Sequence, residues 1–277
     1  MVELTNITFS FKPKVKLFEA LEFSIEKGKI YGLFGENGAG KSTLLKIICG
    51  MLFPQKGEVL LEGVSIQKRA SSSLAKLFYL PEDYQLPDLS IQKFLDVTAP
   101  FYPNFEMEKA HYILENFNLD AKNQLNKMSY GQKKKALIAL ALATNADLLL
   151  MDEPTNGLDI PSKSVFRKSV VASLNDHQSL VISTHQVRDL EALIDPIVVL
   201  SNGKVIFNQA VDRCMEKLRF EKHSQIEDLP NLIYAEEVLG GYECIIANAS
   251  KREQKPNIEL LFNALHQKPE AFHRIFK

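Results

Sequence analysis

Gly35-Glu36-Asn37-Gly38-Ala39-Gly40-Lys41-Ser42-Thr43 is the stretch on which the reading of this chain turns. Its glycines let the backbone turn tightly with amides pointing inward, a geometry that wraps phosphate oxygens in N–H groups. Lys41 can then reach the terminal phosphates, and the Ser42 hydroxyl can ligate Mg²⁺. A helix beginning near Lys41 adds the positive end of its dipole to the same anion. With glycine at about 7% of residues, the four fixed positions coincide by chance in roughly one chain in a hundred of this length, so the flanks matter. Before the loop, Ile30-Tyr31-Gly32-Leu33-Phe34 reads as a buried strand; after it, Leu44, Leu45, Ile47 and Ile48 give a helix an apolar stripe. Strand, glycine loop and helix in that order predict a nucleotide-binding turn.

Working outward, Val2, Leu4, Ile7 and Phe9 alternate with polar residues, with a slip near Asn6, which predicts a half-exposed strand. Phe23-Ser24-Ile25 and Val59-Leu60-Leu61 read similarly. By contrast Leu148-Leu149-Leu150-Met151, Leu180-Val181-Ile182 and Ile197-Val198-Val199-Leu200 are continuous apolar runs, as parallel strands covered on both faces require. The pattern predicts an α/β fold with an antiparallel N-terminal part. Residues 82–143 read as a helical insertion, broken by Pro87, Pro100 and Pro103 and rich in aromatics (Phe94, Phe101, Tyr102, Phe105, Tyr112, Phe117). The Ser201-Asn202-Gly203-Lys204 turn predicts a hairpin closing a main domain over residues 1–210. Residues 211–277 then form a small α+β appendage, with a strand near 242–247 and a helix near 258–265.

Composition narrows the function. Lys and Arg total 33 against 34 Asp and Glu, so no net field marks a nucleic-acid partner, and none is expected. Cys49, Cys214 and Cys244 are far apart and odd in number, which suggests neither a disulfide framework nor a zinc site and fits a reducing cytoplasm. The start Met1-Val2-Glu3-Leu4-Thr5-Asn6 does not read as a leader, and no apolar run approaches the ~18 residues of a spanning helix. The chain reads as soluble, with any membrane role requiring a partner.

Three further constellations carry chemistry. Asp152 and Glu153 follow the run ending at Met151, at the carboxyl edge where open α/β sheets bind ligands. One carboxylate can hold Mg²⁺ and the other can orient or deprotonate the water attacking a γ-phosphate; an acidic turn would explain the pair without a ligand. His185 closes Val181-Ile182-Ser183-Thr184 at another strand end, where imidazole can donate to a phosphate oxygen; a lone histidine is more often a surface or hydrogen-bonded core residue. Ser129-Tyr130-Gly131-Gln132 precedes a helix and reads as a capping box from Ser129 to Gln132, yet a capped helix terminus with Gly131 exposed is also an anion site. Lys133, Lys134 and Lys135 read either as a solvated face or as added positive potential at that terminus, the solvated face accounting for most of them.

In this order, these residues resemble the nucleotide-binding subunits of ATP-binding cassette (ABC) transporters over residues from about 4 to 208. Residues 35–43 resemble the Walker A loop, Ser129-Tyr130-Gly131-Gln132 the signature motif, residues 148–153 Walker B with its catalytic glutamate, Asn156-Gly157-Leu158-Asp159 the D-loop and His185 the switch histidine. Phe11 falls where the family stacks an aromatic on adenine, with Phe9 close enough to compete. The chain departs from the pattern twice: Tyr130 stands where the family usually has glycine, and Glu82 where it has a lid glutamine. A glutamate there is found in subunits paired with separate exporter-type permeases, which points toward export.

The resemblance implies a P-loop NTPase core and a head-to-tail dimer, of two copies of this chain or of this chain with a paralogous ATPase subunit, around two ATP molecules. Each ATP would lie between Lys41 of one subunit and Ser129 of the other. Lys41 and the loop amides would hold the phosphates, and Ser42 and Asp152, with Glu82, the Mg²⁺. Glu153 would be the general base and His185 the γ-phosphate sensor, with Asp159 in the D-loop. Hydrolysis would drive a separate integral-membrane permease, the chain being cytoplasmic and peripheral on the inner face of the cell membrane. The competing expectation is a soluble ABC-type ATPase without transport, as in iron–sulfur cluster assembly.

Overall fold

The computed structural model describes residues 1–187, 190–227, 229–247 and 256–276. From the N-terminus, β1 (Val2–Phe9), β2 (Phe18–Ile25) and β3 (Ile30–Phe34) lead into α1 (Lys41–Ile48). Then come β4 (Lys56–Leu61), β5 (Val64–Ser65), the short α2 (Ser71–Leu74) and β6 (Leu77–Leu80). Three helices, α3 (Ile91–Thr98), α4 (Met107–Asn116) and α5 (Tyr130–Ala143), separate β6 from β7 (Leu148–Asp152). After α6 (Ile160–Ser173) and β8 (Ser179–Thr184), the hairpin β9 (Ile197–Ser201) and β10 (Lys204–Gln209) turns at Asn202-Gly203. The remainder is α7 (Val211–Lys217), β11 (Leu218–His223), β12 (Leu232–Val238), β13 (Gly241–Ala247), α8 (Ile258–Gln267) and α9 (Pro269–Phe276).

The central sheet has the order β10-β9-β3-β8-β7-β6; its five inner and far strands run parallel and β10 closes one edge antiparallel. Because strand side chains alternate faces, each continuous apolar run feeds two cores. Leu33, Leu148, Leu150, Val181, Val198 and Leu200 face α1 and the antiparallel sheet β2-β1-β4-β5. Phe34, Leu149, Met151, Ile182, Ile197 and Val199 face the helices that follow β6. Double coverage is why these strands lack polar alternation.

The slip in β1 has a local cause. Asn6 takes φ 54, and the pairing with β2 shifts between Leu4 and Ile7. The bulge leaves Thr5 and Asn6 both exposed while Leu4, Ile7 and Phe9 stay buried. Helix α5 packs against α4, α6 and β6, so every residue from 136 to 143 is buried. That packing also corrects one expectation: Lys134, read with its neighbours as mostly solvated, is completely buried.

Residues after 210 build the antiparallel sheet β11-β13-β12 backed by α8, on which α9 packs. Cys214, Leu218, Tyr234, Ile245 and Leu261 belong to the same continuous core as α4 and α5, and the Phe276 ring meets Phe207 edge-on at 5.1 Å. Cys49, Cys214 and Cys244 are all buried and unpaired. Among the described residues, no helix is long and apolar enough to cross a membrane.

Candidate active site

The glycine loop leaves β3 and returns as the first turn of α1. Gly38 and Gly40 take φ 84 and 104, in the left-handed region that glycine adopts without steric cost. A Cβ on Gly40 would lie 2.8 Å from the Phe18 ring, so both conformation and space require glycine there. Ala39 N donates to Glu36 O at 3.1 Å, closing the turn. No side chain caps α1, and its first turn carries no acidic residue, so its leading amides face the loop interior with their positive dipole end.

Lys41 is only 7% exposed, and its ammonium donates to Gly35 O at 2.8 Å and Glu36 O at 3.2 Å. Burial lowers its pKa, against the opposing pull of Glu153, Asp152 and Glu82. The chain thus folds a buried cation into a loop of carbonyls.

Opposite the loop lies the carboxyl end of β7. Asp152 accepts from Ser183 Oγ on β8 and from Tyr79 Oη on β6 at 3.3 Å, so three strands orient one carboxylate. Glu153 takes φ 46, a left-handed conformation costly for a side chain of this size, and is 5% exposed. Both of its carboxylate oxygens are held. Thr184 Oγ1 donates to Oε2 at 3.0 Å; His185 N lies 3.0 Å and His185 Nδ1 2.7 Å from Oε1. The parallel pairing of β7 and β8 puts Asp152 opposite Ser183 and brings the two strand ends together.

Phe11, Gly38, Gly40, Lys41, Ser42, Thr43, Glu82, Asp152 and Glu153, with Leu17 and Asn37, line one cavity of about 410 Å³. Residues scattered from 11 to 153 therefore converge on a space of the size of small-molecule sites. Phe9 is 5% exposed in the core, whereas Phe11 is 68% exposed and stands edge-on to Phe9 at 5.0 Å. Gly35, Glu36 and Ala39 form the rest of the loop; Glu36 and Ala39 line an adjoining cleft with Asn202 and Gly203.

Other site candidates sit apart from that cavity. Ser129 is the N-cap of α5: its Oγ accepts from Gln132 N at 3.3 Å, and Gln132 Oε1 accepts from Ser129 N at 2.9 Å. The capping box is complete, and neither Ser129, Tyr130, Gly131 nor Gln132 lines the cavity. Asp159 caps α6, accepting from Ser162 N at 2.8 Å; the Ser162 hydroxyl and then this amide keep its carboxyl below the usual range. Glu82 Oε1 accepts from Asn156 Nδ2 at 3.0 Å, an interaction that sequence spacing could not show. Tyr79 and Ser183, the partners of Asp152, went unnoticed in the sequence because hydroxyl residues within apolar runs carry no motif.

A family profile described as ABC transporter matches residues 18–156. The chain belongs to the ABC transporter family. It is 29% identical over 231 residues to the ABC transporter ATP-binding protein NatA of Bacillus subtilis strain 168, covering 80% of this chain and 94% of that protein. It is 31% identical over 215 residues to the SkfA peptide export ATP-binding protein SkfE of the same organism, covering 74% and 87%. Among solved structures, an ATP-binding subunit of an ABC transporter superposes with a TM-score of 0.70 at 25% identity, over 76% of this chain and 90% of its own. A dimeric ATP-binding cassette bound to ADP and Pi shares the fold with a TM-score of 0.67 at 23% identity, over 76% and 99%. The ABC cassette of this chain is an ATPase module of that family.

Proposed function

We propose that this chain binds and hydrolyses Mg-ATP at the Lys41 cavity and, by doing so, drives a separate membrane permease, in the direction of export. The observation that carries the reading is a buried Lys41 facing Asp152 and Glu153 across one cavity, with Ser42 and the glycine-loop amides on the same wall. Export is supported by relatives such as the SkfA peptide export protein.

The residues present suit Mg²⁺. Ser42 and Asp152 offer hard oxygen donors in the cavity, and Mg²⁺ characteristically takes one or two such ligands together with phosphate and water. Among the described residues no cluster of three or more His, Cys, Asp or Glu forms a closed metal cage, in keeping with an ion shared with a nucleotide. When bound there, the ion would neutralise charge on the β- and γ-phosphates.

The chain's own groups do the rest. Lys41 exchanges Gly35 O and Glu36 O for phosphate oxygens, and the loop amides fix their geometry. Phe11 offers an exposed ring for the adenine face. Glu153, held by Thr184 and His185, orients the attacking water and accepts its proton; His185 would serve the γ-phosphate by turning its ring N–H from Glu153 to a phosphate oxygen. Ser129 and Gly131, outside the cavity, would serve a second subunit's nucleotide in a head-to-tail dimer. Residues 1–210 act as the ATPase domain and 211–277 as an appendage packed on it, with the complex lying on the inner face of the cell membrane through the permease.

The test is a titration with a fluorescent ATP analogue and a phosphate-release assay on wild type and Lys41→Ala. Wild type should turn over Mg-ATP and Lys41→Ala should bind nucleotide at least tenfold more weakly; equal affinities would remove the loop from the binding site. Co-purification of the full-length chain with a multi-span membrane protein tests the transport role, and its failure from detergent-solubilised membranes would count against it.

A further inference from the structure

The two positions at which this chain departs from the family pattern are in contact. Tyr130 Oη donates to Glu82 O at 3.0 Å, and Tyr84 Oη returns a bond to Tyr130 O at 3.1 Å. The two rings stack, with centroids 5.7 Å apart and planes 13° off parallel. One turn further along α5, the completely buried Lys134 places its ammonium 5.0 Å from the Tyr84 centroid and 5.5 Å from that of Tyr130. It donates to Glu82 O at 3.1 Å and to Pro81 O at 3.4 Å. The Glu82 carbonyl therefore accepts from two side chains of one helix, and a reciprocal tyrosine pair locks the same segment from the other direction.

A buried ammonium held by carbonyls and ring faces is an expensive way to fill a core, where an apolar residue of similar volume would do as well or better. Burial lowers the Lys134 pKa, and Glu82, Asp152, Asp83 and Glu153 work against that shift, which places its charge behind the carboxylates of the cavity. Tyr130 also reaches the D-loop. A Cβ on Gly157, whose φ is 78, would lie 2.6 Å from Tyr130 Cδ1, and the adjacent Asn156 holds the Glu82 side chain.

We propose that Tyr84, Tyr130 and Lys134 form a splint that fixes the main chain at Glu82 to the N-terminus of α5, so that the cavity carboxylate and Ser129 move as one body. The inference rests on the assignment of Glu82 to the nucleotide cavity made above. The three are positioning residues, acting through Glu82 and Ser129. Glycine at 130 would delete the ring, the hydroxyl bond and one wall of the ammonium site together.

Two measurements on full-length wild type, Tyr130→Phe and Lys134→Met test the splint: amide exchange of the nucleotide-free protein and steady-state ATP hydrolysis. Tyr130→Phe keeps the ring stack and removes only the hydroxyl, so the hydrogen-bonded amides of residues 132–134, in the turn of α5 that this bond anchors, should exchange about fivefold faster, the worth of one neutral hydrogen bond. Lys134→Met should also speed exchange at 132–134, while its melting temperature stays within about 3 °C because a charge is no longer buried. In both variants kcat should fall at least threefold with KM for ATP within twofold, a split that general loss of packing would not produce. Unchanged exchange at 132–134 in both variants refutes the splint; faster exchange with unchanged kcat refutes its part in turnover. A wild type that does not hydrolyse ATP overturns the ATPase reading instead, and the exchange data still decide the contact.

Discussion

Replacing Glu153 by glutamine separates chemistry from architecture at the point where the two are most closely joined. The carboxylate is 5% exposed and takes one bond from Thr184 Oγ1 and two from His185. A glutamine carbonyl can keep Oε1 facing both His185 donors, and its amide can donate to the Thr184 hydroxyl, which accepts as readily as it donates. The loss is then the charge-assisted part of these bonds, about 1 kcal/mol. For a chain of this size that is a shift in melting temperature of about 2–4 °C. The chemical loss is larger: removing a positioned general base costs about 10²–10⁴ in rate, or about 3–5 kcal/mol of barrier. Because the barrier term exceeds the stability term several-fold, the variant should remain folded, bind ATP with near wild-type affinity and accumulate an ATP-bound dimer. Phosphate release, analogue titration and size-exclusion chromatography with and without ATP read these three quantities. Turnover within threefold of wild type would refute Glu153 as base, and a parallel collapse of nucleotide affinity would recast it as a binding residue.

Other perturbations probe the same physics elsewhere. Phe9→Ala should cost about 3–5 kcal/mol by urea unfolding because it empties a core site, whereas Phe11→Ala should leave the urea midpoint unchanged and weaken nucleotide binding about fivefold or more, the low end of aromatic–base stacking. Gly40→Ala should destabilise by about 2–5 kcal/mol, combining a left-handed Cβ with overlap on the Phe18 ring; a urea midpoint like wild type would contradict the φ of 104. Lys27 and Lys76 both bond Glu62 and hold its carboxyl down to about 2. A depressed carboxyl pKa stabilises the fold above the unfolded-state value of 4.5 and loses that contribution as pH falls toward 2. Glu62→Gln should therefore be less stable than wild type at pH 7, by under about 1 kcal/mol after solvent screening, with the difference shrinking between pH 4.5 and 2; a gap that is constant across that range would refute the ion-pair account.

What the sequence determined by itself is contiguous and local. The glycine loop, the strand before it, the helix after it and the Ser129–Gln132 box are legible because backbone conformation and short-range hydrogen bonds depend on neighbours a few residues apart. The doubly covered strands are legible because burial on both faces leaves continuous apolar runs. What only the tertiary structure decided depends on docking between distant segments. The opposite burial of Phe9 and Phe11 depends on where β1 ends after its bulge, and the partners of Asp152 required the order of β6, β7 and β8. Lys134 looked like one of three solvated lysines, because a helix enclosed by α4, α6 and β6 has no polar stripe from which a buried position could be told. The departures at Glu82 and Tyr130, separate curiosities 48 residues apart in the chain, become one contact only when α5 is laid against the end of β6.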